Sequence, residues 1–200
     1  MKRLAAFLRD TRAASAAEFA IVLPLLLIVL FGTVDVGRYA WSLAMSEKAT
    51  QTGARFAVTT DMVVAGLNTY SFATSGGVPQ GTTVDEATFP GVKCDSLRCT
   101  CLGTCSFPTT ADNAAFTRLV TKMKDINPDI TAGNVEVTYA WSGLGFAGDP
   151  NGPDVAPLTT VSLKDVPFAP FTAFIWGGTF ILPRFNYTLS MEDGSGTTSN

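Results

Sequence analysis

An α+β fold, in which a long N-terminal helix packs on a small antiparallel sheet, is predicted by three features of the sequence. An uncharged apolar run stands near the N-terminus. Helix-forming residues continue behind it to about Val58, and the last third of the chain contains short segments that alternate apolar and polar residues at strand period.

The apolar run, Phe19 to Val34, is bounded by Glu18 and Asp35 and holds 16 residues. Crossing about 30 Å of hydrocarbon at about 1.5 Å per residue takes about 20 residues. The span is therefore read as a transmembrane helix over 14–34, extended back through Ala14, Ser15, Ala16 and Ala17. Glu18 then lies in the lipid or at its boundary, and a carboxylate at mid-bilayer costs roughly 2.5–3.5 kcal/mol on insertion scales. Two readings are open for it: a carboxylate favoured by the helix macrodipole and solvated by headgroups, or a residue kept for a partner. Pro24, inside the run, removes one backbone hydrogen bond and predicts a kink.

Lys2, Arg3, Arg9 and Arg12 against the single Asp10 make residues 1–13 a basic leader, while the chain as a whole carries −3. The excess of Lys and Arg before the span places the N-terminus in the cytoplasm and exports everything after about Asp35. The alternative is a secretory signal peptide cut after Ser42-Leu43-Ala44. The distance from the basic residues to the apolar run, and the helical sequence that continues past that cut, count against it.

Residues 35–60 read as a helical stalk interrupted only by Gly37 and Gly53. Small residues recur at four-residue spacing in Ala40/Ala44 and Ala49/Gly53/Ala57, which suits close approach by another helix or by the chain's own sheet. Asp35 and Arg38, three apart, read as a local pair or as interface anchors.

Residues 61–193 are the exported α+β domain. Its first part, 61–111, is punctuated by Gly76-Gly77, Pro79, Gly81, Pro90-Gly91, Gly103 and Pro108, and reads as mostly loop. Cys94, Cys99, Cys101 and Cys105 crowd into loop 94–105; their spacing does not fit a zinc ribbon, and export favours two disulfides that staple a loop of low apolar content. A Cys99–Cys101 bridge would close a tight ring and is the least favoured pairing. Asp112 caps a helix to Asp125 with Phe116, Leu119, Val120 and Met123 on one face, and Asn127-Pro128 ends it. Strands follow at Val135–Trp141, Thr159–Leu163 and Phe185–Met191, with a disordered tail over 194–200. The aromatic run Phe168, Phe171, Phe174, Ile175, Trp176 and Phe180 reads as core, with a subunit or membrane contact as the alternative. Asp149, Asn151 and Asp154 lack a full calcium-ligand pattern and read as a turn at Gly152-Pro153.

The chain has no histidine, so neither a Ser/His nor a Cys/His pair can be built, and no G-x-S-x-G or phosphate-binding glycine loop appears. An enzyme, a resident metal and a cofactor are therefore not expected. Acidic balance after Arg12, with no basic patch interleaved with aromatics, argues against nucleic acid.

Two stretches carry a resemblance. Arg12-Ala13-Ala14-Ser15-Ala16-Ala17-Glu18-Phe19-Ala20-Ile21-Val22-Leu23-Pro24-Leu25, followed by Phe31-Gly32-Thr33-Val34-Asp35-Val36-Gly37-Arg38, resembles the TadE-like family of tight-adherence (Flp-type) pilus assembly proteins, and Thr52-Gly53-Ala54-Arg55-Phe56-Ala57 looks like that family's ending of the long helix. The resemblance implies a pilin-like fold and a pseudopilin whose prepilin-type leader is cut between Ala13 and Ala14 by a prepilin peptidase, although Ala13 stands where Gly is usual. It implies that Glu18, and Glu18 alone, sets registry between subunits; Pro24, Gly32, Asp35, Gly37, Arg38, Gly53 and Arg55 are read as helix-packing positions. The implied partners are the bacterial inner membrane, other pilins or pseudopilins, the peptidase and the pilus assembly platform. The implied location is a single-pass inner-membrane anchor with a periplasmic domain that can enter the extracellular pilus. A membrane-tethered or secreted adhesin or ligand-binding module outside the pilus is the alternative.

Overall fold

The computed structural model describes residues 14–150, 152–192 and 194–198; the leader 1–13, including Ala13, and Asn151 lie outside the described residues. Helix α1 runs unbroken from Ala14 to Thr59 with Pro24 inside it. The chain divides into two compact units: one holds α1 up to Trp41 together with Phe168–Phe180, and the other holds Ser42–Pro167 and the chain from Ile181 onward.

In the second unit, the later part of α1 packs on a five-stranded antiparallel sheet. The strands are β1 (Val92–Cys94), β2 (Cys99–Cys101), β3 (Val135–Ala140), β4 (Leu158–Leu163) and β7 (Phe185–Ser190), in the order β2-β1-β3-β4-β7. Register follows the alternation in the sequence. Val135, Val137 and Tyr139 pair with Leu163, Val161 and Thr159, and all six are fully buried on the core face. Thr138, Thr160 and Thr188 lie side by side on the other face, where the Thr160 and Thr188 hydroxyls are 2.8 Å apart.

Helix α2 (Asn113–Lys124) begins where expected. The Asp112 carboxylate accepts from the amides of Ala114 and Ala115 at 2.9 and 3.0 Å, and Ala115, Phe116, Leu119, Val120 and Met123 form its buried face. Gly53 explains how closely α1 and α2 approach, since a Cβ there would lie 2.8 Å from the Met123 side chain. The small-residue stripe Ala49/Gly53/Ala57 is thus buried inside the chain's own domain, whereas Ala40 and Ala44 are exposed.

Stretch 61–111 is mostly loop, as read, but it is not without order or core. It supplies β1 and β2, and Phe72, Phe89 and Phe107 are buried against one another, with Tyr70 edge-on to Phe72 at 4.9 Å. Tyr139 ties this layer to the sheet: its buried hydroxyl accepts the Val63 amide at 2.9 Å. Tyr139→Phe keeps the ring but strands a buried N–H, so it is expected to lower stability by about 1–3 kcal/mol in denaturant unfolding. At the end of the chain, Gly196 and Asp61 exchange two hydrogen bonds of 2.8 Å, one between backbones and one to the Asp61 carboxylate.

In the first unit, Phe168–Phe180 forms a hairpin. The short strands β5 (Pro167–Phe168) and β6 (Phe180–Ile181) pair at its base, and α3 (Ala173–Trp176) lies at its far end. Gly177 and Gly178 take φ of 72° and 98° where the chain turns back from α3, a conformation that favours glycine.

Candidate functional site

The apolar half of α1 presents its side chains outward. Ile21 is 78% exposed, and Phe19, Val22, Leu25, Leu26, Val29 and Leu30 are each at least half exposed. Leaving this many large apolar groups in water would forfeit the main driving force of folding, so the surface needs an apolar surrounding. Length and composition suit a single membrane crossing. Glu18 and Pro24 are exposed on this surface, and a Cβ added at Gly32 or Gly37 would meet no neighbour within 4 Å. Thr33 returns its hydroxyl to the Leu30 carbonyl at 2.8 Å, which removes one polar group from an apolar setting.

Asp35, which closes the apolar run, is the polar centre of the first unit. Its carboxylate accepts the Phe171 amide at 2.6 Å and both the Thr172 amide and the Thr172 hydroxyl at 2.8 Å. Burial pushes its acidity down, but these donors and Arg38 outweigh that, and the carboxyl is held below its ordinary pKa. Arg38 reaches Asp35 at 3.4 Å and donates to the Ala169 carbonyl at 3.2 Å. Its guanidinium lies 4.2 Å from the centre of the Phe171 ring and 5.4 Å from that of Phe168. Tyr39 meets Phe168 edge-on at 5.4 Å, and Phe31 meets Phe174 edge-on at 6.2 Å. About two and a half turns of helix, from Phe31 to Tyr39, therefore hold the hairpin through Phe168 to Phe174.

This arrangement corrects the core reading of the aromatic run. Phe168 is buried, but Phe171, Phe174 and Phe180 are 54%, 74% and 59% exposed. The cause is that the run is too short and too interrupted by Pro170 and Gly177-Gly178 to enter the sheet, so it packs on the helix by one edge only.

The remaining candidate residues are scattered through the second unit. Gly53 lies under Met123, and Arg55 is exposed on the opposite side of α1. Cys94 is bonded to Cys99, which closes the β1–β2 turn, and Cys101 to Cys105, which ties the end of β2 to the loop after it, so all four thiols are consumed. Asp154 is buried, and its carboxylate accepts the amides of Phe72 at 2.6 Å and Asp149 at 3.1 Å, so it organises a turn.

Two sets of contacts escaped the sequence reading. Phe171 and Thr172 lie more than 130 residues from Asp35, and no local pattern links them. The available signal was that residues 166–183 contain no charge between Asp165 and Arg184. Glu136, on the outer face of β3, gathers Lys93 at 3.0 Å, Lys164 at 2.6 Å and Arg184. That cluster exists only once strand register is known.

Compared with known families, residues 13–55 match the model described as TadE-like protein, which covers nearly all of α1 and none of the sheet. No curated protein matches the chain, and no solved structure does.

Proposed function

From the premise that the chain is TadE-like along its N-terminal helix, we propose that it is a minor pseudopilin, or membrane-anchored assembly protein, of a tight-adherence pilus system. The observation that carries this reading is the exposed apolar helix with Glu18 at its start, within the matched segment. In this reading residues 1–13 are a leader removed by a prepilin peptidase, Ala14 becomes the new N-terminus, and α1 enters a bundle of neighbouring pilin helices. The Glu18 carboxylate pairs with the α-amino group of an adjacent subunit in a medium where such a pair is strong. The N-terminus is cytoplasmic before processing and the sheet domain lies outside the inner membrane. The two disulfides support an oxidising compartment for that domain.

Mass spectrometry of the mature chain tests processing: a peptide beginning at Ala14 agrees, Met45 would indicate secretion, and Met1 an uncleaved anchor. Glu18→Ala is expected to reach the membrane at normal levels while surface pili fall by about tenfold or more, the loss that follows from weakening a repeated subunit contact. Pili that assemble normally both with Glu18→Ala and without the protein altogether would point instead to an adhesin or ligand-binding module outside the fibre.

A further inference from the structure

We propose that the hairpin Phe168–Phe180 is a second membrane contact, a wedge that enters the outer half of the same bilayer beside the transmembrane part of α1. The inference rests on the reading of 14–34 as a membrane span. Its own argument is one of depth. Asp35 ends the apolar run, and Phe31 lies four residues before it, about 6 Å deeper along a helix that rises about 1.5 Å per residue. Phe174 packs edge-on against Phe31, so the hairpin carries it to the same level. Phe171, stacked on Arg38 and hydrogen-bonded through its amide to Asp35, lies at the boundary itself.

The chemistry of the hairpin fits that placement. It has no charged residue from Val166 to Pro183, and three of its four phenylalanines, Phe171, Phe174 and Phe180, are more than half exposed, Phe174 most of all. Backbone polar groups cannot be left bare where water is scarce. Here Asp35 takes the amides of Phe171 and Thr172 and the Thr172 hydroxyl, and Arg38 takes the Ala169 carbonyl. Aromatic side chains with satisfied backbone, seated about 5–10 Å into the headgroup and acyl boundary, are how interfacial segments anchor. A lipid surface is favoured over a second copy of the chain because the exposed ring of Phe174 is continuous with the exposed apolar surface of α1 in the same unit.

Fluorescence of the full chain in phosphatidylethanolamine and phosphatidylglycerol vesicles tests the wedge. With Trp41, Trp141 and Trp176 replaced by Phe, single reporters are placed by Phe174→Trp and, should that variant fold poorly, Phe171→Trp. Val29→Trp reports the span, and Leu97→Trp reports an exposed position in the sheet domain. Lipid brominated near the headgroup end of its chains is expected to lower Phe174→Trp emission by about twofold or more, with little quenching by aqueous acrylamide. A hairpin reporter that ignores brominated lipid while Val29→Trp is quenched would overturn the wedge and leave the span intact. Protection from both quenchers would assign the surface to a second copy and overturn the wedge as well. If Val29→Trp also ignores the lipid, the span itself fails and the wedge falls with it.

Discussion

Glu136→Gln is expected to destabilise the sheet domain near neutral pH by up to roughly 3 kcal/mol, and the deficit is expected to shrink in acid. Glu136 is only 6% exposed, and it is met by Lys93 from β1, Lys164 from the end of β4 and Arg184 from the start of β7. One carboxylate thus joins three strands that are not all neighbours of β3. Burial pushes its pKa up, but hydrogen bonds and charge from Lys164 and Lys93 outweigh burial and hold it at about 2, against an ordinary 4.5. The other charge facing this group is the Asp95 carboxylate, which Glu136 disfavours. Because the folded pKa lies below the ordinary one, the stabilisation is complete above about 4.5 and is lost as pH falls through about 2. The cations are each about a third to a half exposed, so solvent screens them and the figure is an upper bound. Urea unfolding of wild type and Glu136→Gln at about pH 7 and about pH 2.5 checks this. An equal difference in midpoint at both pH values would refute the assigned role.

How far the sequence discloses such a fold depends on how local each cause is. Strands β3, β4 and β7 were legible because alternation at period two reports one buried face, and α2 because Asp112 and its four apolar residues are local signals. The disulfides were foreseeable as a pair of bridges, although the choice of Cys94 with Cys99 and Cys101 with Cys105 needed coordinates. Strands β1 and β2 were not legible. Each has three residues, and β1 is held by Val92, Lys93 and Cys94 pairing with Tyr139, Thr138 and Val137 far along the chain. The aromatic cluster of Phe72, Phe89 and Phe107 was hidden for the same reason, since single Phe residues among Gly, Pro and Thr carry no period. Of the candidate site, the apolar helix and Glu18 could be read directly, while Asp35 and Arg38 could be singled out but not given their partner.

Asp35→Ala is expected to free the hairpin while leaving the sheet domain folded. The substitution removes the acceptor of two backbone amides and one hydroxyl at once, and with it the charge that faces Arg38. No water-exposed substitute is at hand for the Phe171 and Thr172 amides if they sit at a lipid boundary, so the segment must open or dehydrate them at a cost. Hydrogen exchange of these two amides is expected to accelerate by about a hundredfold or more, in proportion to the lost hydrogen bonds to a charged group. Asp35→Asn keeps one acceptor oxygen and should fall between wild type and Asp35→Ala. Arg38→Lys keeps the charge but loses the planar group stacked over Phe171, and should loosen Phe171 more than Thr172. Exchange measured on the full chain in lipid nanodiscs decides the matter, with β3 and β4 amides as the internal standard. Unchanged protection at Phe171 and Thr172 in Asp35→Ala would mean that ring packing through Phe31 and Tyr39 holds the hairpin without its carboxylate. Loss of protection across β3 and β4 as well would mean that Asp35 supports the whole chain and not this one segment.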